Sequence, residues 1–110
     1  MSEVKYYFLG DTGKARTNVI TIAYVIEETV TSSGEVIDVI RFGVAYSCVS
    51  DVYNKQLGKR IALNRFNDEP RRVIVKDKNF NTYLKSIVGN IINNEAPNWA
   101  YRLIESLFEI

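Results

Sequence analysis

The chain has no histidine, a single cysteine and only two prolines among its 110 residues. Without an imidazole there is no Ser–His or Cys–His nucleophile pair, no histidine metal ligand and no side chain that shuttles protons near neutral pH. Carboxylate, lysine and tyrosine chemistry remains open, but the commonest catalytic routes are closed and the balance tilts towards a binding protein. The lone Cys48 excludes an internal disulfide framework, fits a reducing compartment and, with no histidine to activate it, is expected to be an inert buried thiol. No apolar run approaches the roughly 20 residues that span a bilayer, so no membrane partner is expected. The opening MSEVKYYFLG is too polar for a signal peptide. The acidic neighbours Glu27-Glu28 and Asp68-Glu69 have nothing that would push their protonation apart, as an acid/base pair requires. No catalytic residue, metal site or cofactor is expected.

What is present fits one globular domain: 46% hydrophobic and 25% charged residues, enough for a core without staples. The net charge of +1 is unevenly spread, with six basic and three acidic groups in residues 51–72 against four basic and six acidic in residues 1–50. Positive potential in the middle of the chain favours a small anion or a phosphate backbone.

Lys5 to Leu9 reads as a strand, ended by Gly10-Asp11-Thr12-Gly13. This GDTGKA segment invites comparison with a phosphate-binding loop, but it lacks the G-x-x-x-x-G-K-[ST] spacing and suits a hairpin turn better. Thr17 to Val30 and Val36 to Ser47 are dense in Val, Ile, Thr and Tyr and form a long antiparallel hairpin around Thr31-Ser32-Ser33-Gly34-Glu35. Ile20, Ile22, Tyr24 and Ile26 alternate with Val19, Thr21, Ala23 and Val25, so both faces of the hairpin are largely apolar and both need cover.

A basic helix follows from about Val52 to Phe66, with Ser50 or Asp51 as N-cap and Tyr53, Leu57 and Ile61 facing the core. Gly58 inside it is either a weakness of about 1 kcal/mol relative to Ala or a place of close packing. Arg71 to Lys76 reads as an edge strand with charged ends. Asn79 or Asn81 caps a helix whose buried stripe is Tyr83, Leu84, Ile87, Val88, Ile91 and Ile92. Pro97 opens a last helix that buries Ala100, Leu103, Ile104, Leu107 and Phe108. The expected fold is α+β: an antiparallel sheet, a basic middle helix and a C-terminal helical hairpin. Three helices readily cover one sheet face, so the other face suggests a second subunit, a homo-oligomer of dimer size or larger.

Two groups of residues carry candidate chemistry. Lys55, Lys59, Arg60, Arg65, Arg71 and Arg72 supply the forks and point charges that hold phosphate, and are equally what a solvated helix face needs. Phe80, Asn81, Asn90, Asn98, Trp99 and Arg102 supply planes that stack on nucleobases and amides that pair with them, and are equally caps and core.

Phe42-Gly43-Val44-Ala45, then Cys48, Asp51, Tyr53, Lys55 and Gly58-Lys59-Arg60-Ile61-Ala62, resemble a pattern in small early proteins of tailed phages. In that pattern an aromatic-Gly-Val strand end passes through a Cys/Ser/Asp turn into a Lys-x-x-Gly-[Lys/Arg] helix. Within that set the chain most resembles the first Thoeris anti-defence family. The resemblance implies an N-terminal antiparallel sheet, C-terminal helices at a dimer interface, and assembly into larger oligomers. It also implies sequestration, without cleavage, of a cyclic nucleotide immune signal in the cytoplasm of the infected host. The signal is a cyclic ADP-ribose made by bacterial TIR-domain enzymes or, in some members, a cyclic oligonucleotide. The family's pocket uses an aromatic residue, an Asn and helical Arg residues, for which Phe80, Asn90 and Arg102 are the nearest counterparts. Arg102 is the last helix's only Arg. The ligand-binding set expected from both readings is Lys55, Lys59, Arg60, Arg65, Phe80, Asn90, Trp99 and Arg102. The alternative is an early protein that inhibits a host protein, or binds nucleic acid, through the basic helix.

Overall fold

The computed structural model describes residues 3–10, 13, 17–48, 54–76, 79–93 and 96–108. Among these residues four strands, β1 (Lys5–Gly10), β2 (Val19–Val30), β3 (Val36–Ser47) and β4 (Arg71–Val75), form one sheet in chain order. Every pairing is antiparallel. Three helices complete the α+β fold: the basic α1 (Lys55–Asp68), then α2 (Phe80–Asn93) and α3 (Asn98–Phe108). Gly10 at the end of β1 pairs with Val19 at the start of β2, so β1 is followed by an antiparallel strand and not by the helix of a phosphate-binding unit; Asp11, Thr12, Lys14 and Ala15 of GDTGKA lie outside the described residues.

β2 and β3 pair along their whole length, from Val19 opposite Ser47 to Val30 opposite Val36. The turn between them is closed by Thr31 N–H donating to Glu35 O at 2.8 Å and Gly34 N–H donating to Thr31 O at 2.9 Å, with Gly34 at φ 85°. The two apolar faces are as the alternation predicts. On one, Leu9, Ile20, Ile22, Ile40, Phe42, Val44 and Val75 pack with Ile87, Val88 and Ile91 of α2 and Ala100 and Ile104 of α3. On this side the buried Asp38 carboxylate (4% exposed) accepts from the Tyr83 hydroxyl, which ties α2 to β3 and satisfies a polar group in the core.

The other face is where expectation and structure part. Ala23, Val25 and Ala45 are covered by Ala62 and Phe66 of α1. The helices therefore divide between the two faces, and the bare face that suggested a second subunit has its own cover along its inner half. α1 also starts later than expected. Asn54 is its N-cap, its side chain accepting from Leu57 N–H at 3.1 Å, while Ser50, Asp51 and Tyr53 lie outside the described residues. Leu57, expected in the core, is 41% exposed.

Small residues explain the difference. A Cβ added to Gly43 would stand 2.4 Å from both the Ala62 carbonyl oxygen and the Phe66 nitrogen, and one on Gly58 would stand 3.0 Å from Thr21 Oγ1. The α1 backbone lies directly on the sheet because the bed beneath it, Ala23, Gly43 and Ala45, offers almost no side chain. Gly58 is thus a place of close packing. Replacing Asn54 with Ala should remove the cap and lower the unfolding free energy by about 1 kcal/mol, read from a urea titration. An unchanged midpoint would mean that α1 is held by its seat alone.

Candidate functional site

β3 is 12 residues long but β4 covers only five of them, ending where Arg71 pairs with Phe42. The Thr31–Glu35 hydrogen bond fixes the phase of the hairpin: odd-numbered residues of β3 bond to β2 and even-numbered ones face β4. Past Phe42, the backbone groups of Val44 and Tyr46 therefore point to a side where, among the described residues, no strand pairs with them. The Val44 carbonyl is met instead by Arg65 of α1, whose Nη1 donates to it at 2.6 Å.

At this open edge lies a cleft of about 570 Å³, lined by Phe42, Gly43, Val44 and Tyr46 of β3, Arg65 and Asp68 of α1, Glu69, Arg71 of β4, and Pro97 ahead of α3. Its volume falls within the roughly 300–1,000 Å³ of small-molecule sites. Two guanidinium groups reach it from opposite layers. Arg65 belongs to α1, whereas Arg71, paired with Phe42, lies on the α2–α3 face. The Tyr46 hydroxyl and Arg71 Nη1 are both buried without a hydrogen-bond partner. Burial raises the Tyr46 pKa; Arg71 and Arg65 pull it down by less, and Tyr101 adds a small rise. The hydroxyl is therefore protonated at neutral pH and can donate. Arg71 is near enough to favour the phenolate, yet the two groups fall short of hydrogen-bond geometry. Behind Tyr46, the Trp99 ring meets it edge-on, with centroids 6.0 Å apart and planes at 82°. Neither Asp68 nor Glu69 is ion-paired with the arginines.

No family model, curated protein or solved structure matches the chain.

The residues singled out from sequence do not converge on one place. Arg65 lines the cleft and Trp99 stands behind it. Lys55 and Lys59, one helical turn apart, lie over the rings of Phe8 and Tyr6 of β1 at 4.9 and 4.7 Å. Those rings are two strands from β3, about 10 Å away, and such contacts contribute about 0.5–1 kcal/mol each. Arg60 is exposed in a shallow hollow beside Asn54, Gln56 and Leu57, near the start of α1. Asn90 is half-buried on α2 and engaged within the fold, and Arg102 is exposed on α3. Phe80 opens α2, and its side chain lies outside the described residues. Arg71 joins the cleft from the wider basic group. Tyr46, Asp68 and Glu69 were not singled out as ligand contacts, because only the gap beside β3 brings them together. Cys48 is half-buried, so it is less enclosed than expected.

Chemically, the cleft combines cationic forks suited to phosphate with free carboxylates that accept from sugar hydroxyls or amino groups. A ligand carrying both kinds of group meets a partner for each.

Proposed function

We propose that the chain binds a small phosphate-bearing ligand of the nucleotide class in the cleft at the open edge of β3 and holds it without altering it. The convergence of Arg65 and Arg71 from opposite layers, beside a protonated Tyr46, carries this reading. The finer proposal is a phage anti-defence protein that sequesters a cyclic ADP-ribose or a cyclic oligonucleotide in the host cytoplasm. It rests on the resemblance within residues 42–62, and Phe42, Gly43 and Val44 of that pattern line the cleft. No described helix is long and apolar enough to cross a membrane. The homo-oligomer that the resemblance implies would use a surface other than the inner half of the sheet face under α1. The alternative, a host-protein or nucleic-acid inhibitor acting through α1, is weakened because Lys55 and Lys59 already lie on aromatic rings of the same chain.

The test is calorimetric titration with cyclic ADP-ribose. Losing one charged hydrogen bond of about 1.5–3 kcal/mol, Arg65→Ala should weaken binding roughly 10- to 150-fold, while Lys55→Ala and Lys59→Ala should leave it within about twofold. Chromatography of ligand released by heat should return it intact. A hydrolysed product at more than one turnover per chain would make this an enzyme. No binding of any nucleotide would shift the weight to the inhibitor.

A further inference from the structure

Away from the cleft, the outer edge of β4 is an open strand edge among the described residues. β4 is the last strand of the sheet. Its pairing fixes which groups are unused: Arg71, Val73 and Val75 stand opposite Phe42, Ile40 and Asp38, the even-numbered residues that bond towards β4. The alternate residues, Arg72 and Ile74, therefore present their N–H and C=O groups outward. Their side chains share the α1 face of the sheet, but beyond the reach of α1. Ile74 is 64% exposed, as open as any large apolar residue described. Arg72 and Lys76 flank it at alternate positions and are both exposed.

Cations on a sheet edge commonly serve to keep other strands away. An exposed isoleucine between them does the opposite, since it offers apolar area in the middle of the edge. The combination repels strands of like charge and rewards one whose side chains read acidic, apolar, acidic at alternate positions.

We infer that the outer edge of β4 binds an extended acidic segment of another protein by strand addition, with Ile74 in the middle and carboxylates opposite Arg72 and Lys76. Main-chain hydrogen bonds would supply the affinity and the side-chain alternation the selectivity. A second copy of this chain is a poor occupant. Pairing β4 with β4 would gather Arg71, Arg72 and Lys76 of both chains, and the other edge strand, β1 (KYYFLG), carries Lys5 and no carboxylate. Lys76 has an exposed ion pair with Glu35 at 3.5 Å, a surface contact that an incoming carboxylate can replace at little cost.

The probe is fluorescein-labelled acetyl-Thr-Glu-Thr-Val-Thr-Glu-Thr-amide, whose palindromic pattern fits either strand direction, compared by anisotropy with the peptide carrying Lys in place of Glu. At low salt the Glu peptide should bind at least about tenfold more tightly than the Lys peptide, and Arg72→Glu should reverse that preference. Ile74→Pro removes an outward N–H and leaves the rungs to β3 in place. It should weaken binding by about tenfold or more with little change in the thermal midpoint. If it does not fold, Ile74→Asp supplies the same test through side-chain repulsion. Binding of nucleotide should be untouched by these variants, because Arg72 and Ile74 lie outside the cleft. Equal binding of the two peptides, no binding at millimolar peptide, or binding indifferent to Ile74 substitution overturns the proposal. So does a wild-type dimer that Ile74→Pro dissociates, because the edge would then belong to a second copy.

Discussion

Gly43→Ala should unfold the protein or bring it close to unfolding. The new methyl group would stand 2.4 Å from two backbone atoms of α1, the Ala62 carbonyl oxygen and the Phe66 nitrogen. A flexible side chain could rotate away; a helix backbone can only be lifted off the sheet. Overpacking of a core costs typically about 1–3 kcal/mol and sometimes more, and backbone obstacles place this substitution at or beyond the top of that range. Lifting α1 would also withdraw Ala62 and Phe66 from Ala23, Val25 and Ala45, and Arg65 from Val44. Gly89→Ala is the counterpart. It lies inside α2 with nothing within 4 Å of its added Cβ, so it should stabilise by about 0.5–1 kcal/mol through helix propensity alone. Urea titration of both variants tests the pair. A Gly43→Ala protein within about 1 kcal/mol of the parent would mean that α1 does not sit where the structure puts it.

Arg71→Met should separate stability from binding. Arg71 Nη1 is buried with no hydrogen-bond partner, and an unsatisfied buried donor costs about 1–3 kcal/mol. A methionine of similar length keeps the packing and removes that cost, so the thermal midpoint should hold or rise. Ligand affinity should fall roughly 10- to 150-fold, because one of two guanidinium forks in the cleft is lost. A variant that is less stable and binds cyclic ADP-ribose as well as the parent would show Arg71 to be a structural group and the cleft to be misassigned.

The fold was legible wherever burial depends on the size of apolar side chains. Alternation along β2 put Ile20, Ile22, Tyr24 and Ile26 on one face and Ala23 and Val25 on the other, as they lie, and the stripe Leu84, Ile87, Val88 and Ile91 gave the buried side of α2. It was least legible at α1, where burial depends on smallness. Leu57 looked like a core residue on spacing alone, yet the helix meets the sheet at Gly58, Ala62 and Phe66, over Gly43. A pattern of large apolar residues cannot reveal a contact made by their absence. The site was partly legible for a related reason. Sequence reading groups cations by their spacing along the chain, so Lys55, Lys59 and Arg60 travelled with Arg65. The sheet groups residues by strand order, which sends Lys55 and Lys59 to β1 and brings Arg71 and Tyr46 to Arg65. The length difference between β3 and β4, which makes the cleft, follows from where Pro70 and the end of α1 fall.

Because the strands lie side by side in the order in which they occur in the chain, no strand has to be threaded between two that are already paired. Each new strand finds its neighbour at the growing margin of the sheet, although α3 returns to pack against β1 across most of the length of the chain. During synthesis the β2–β3 ribbon can therefore form before α1 arrives to cover one side of it, with β4 and the last two helices following. The two arginines of the cleft are brought together late, when β4 docks. Until then the proposed ligand cleft has not formed.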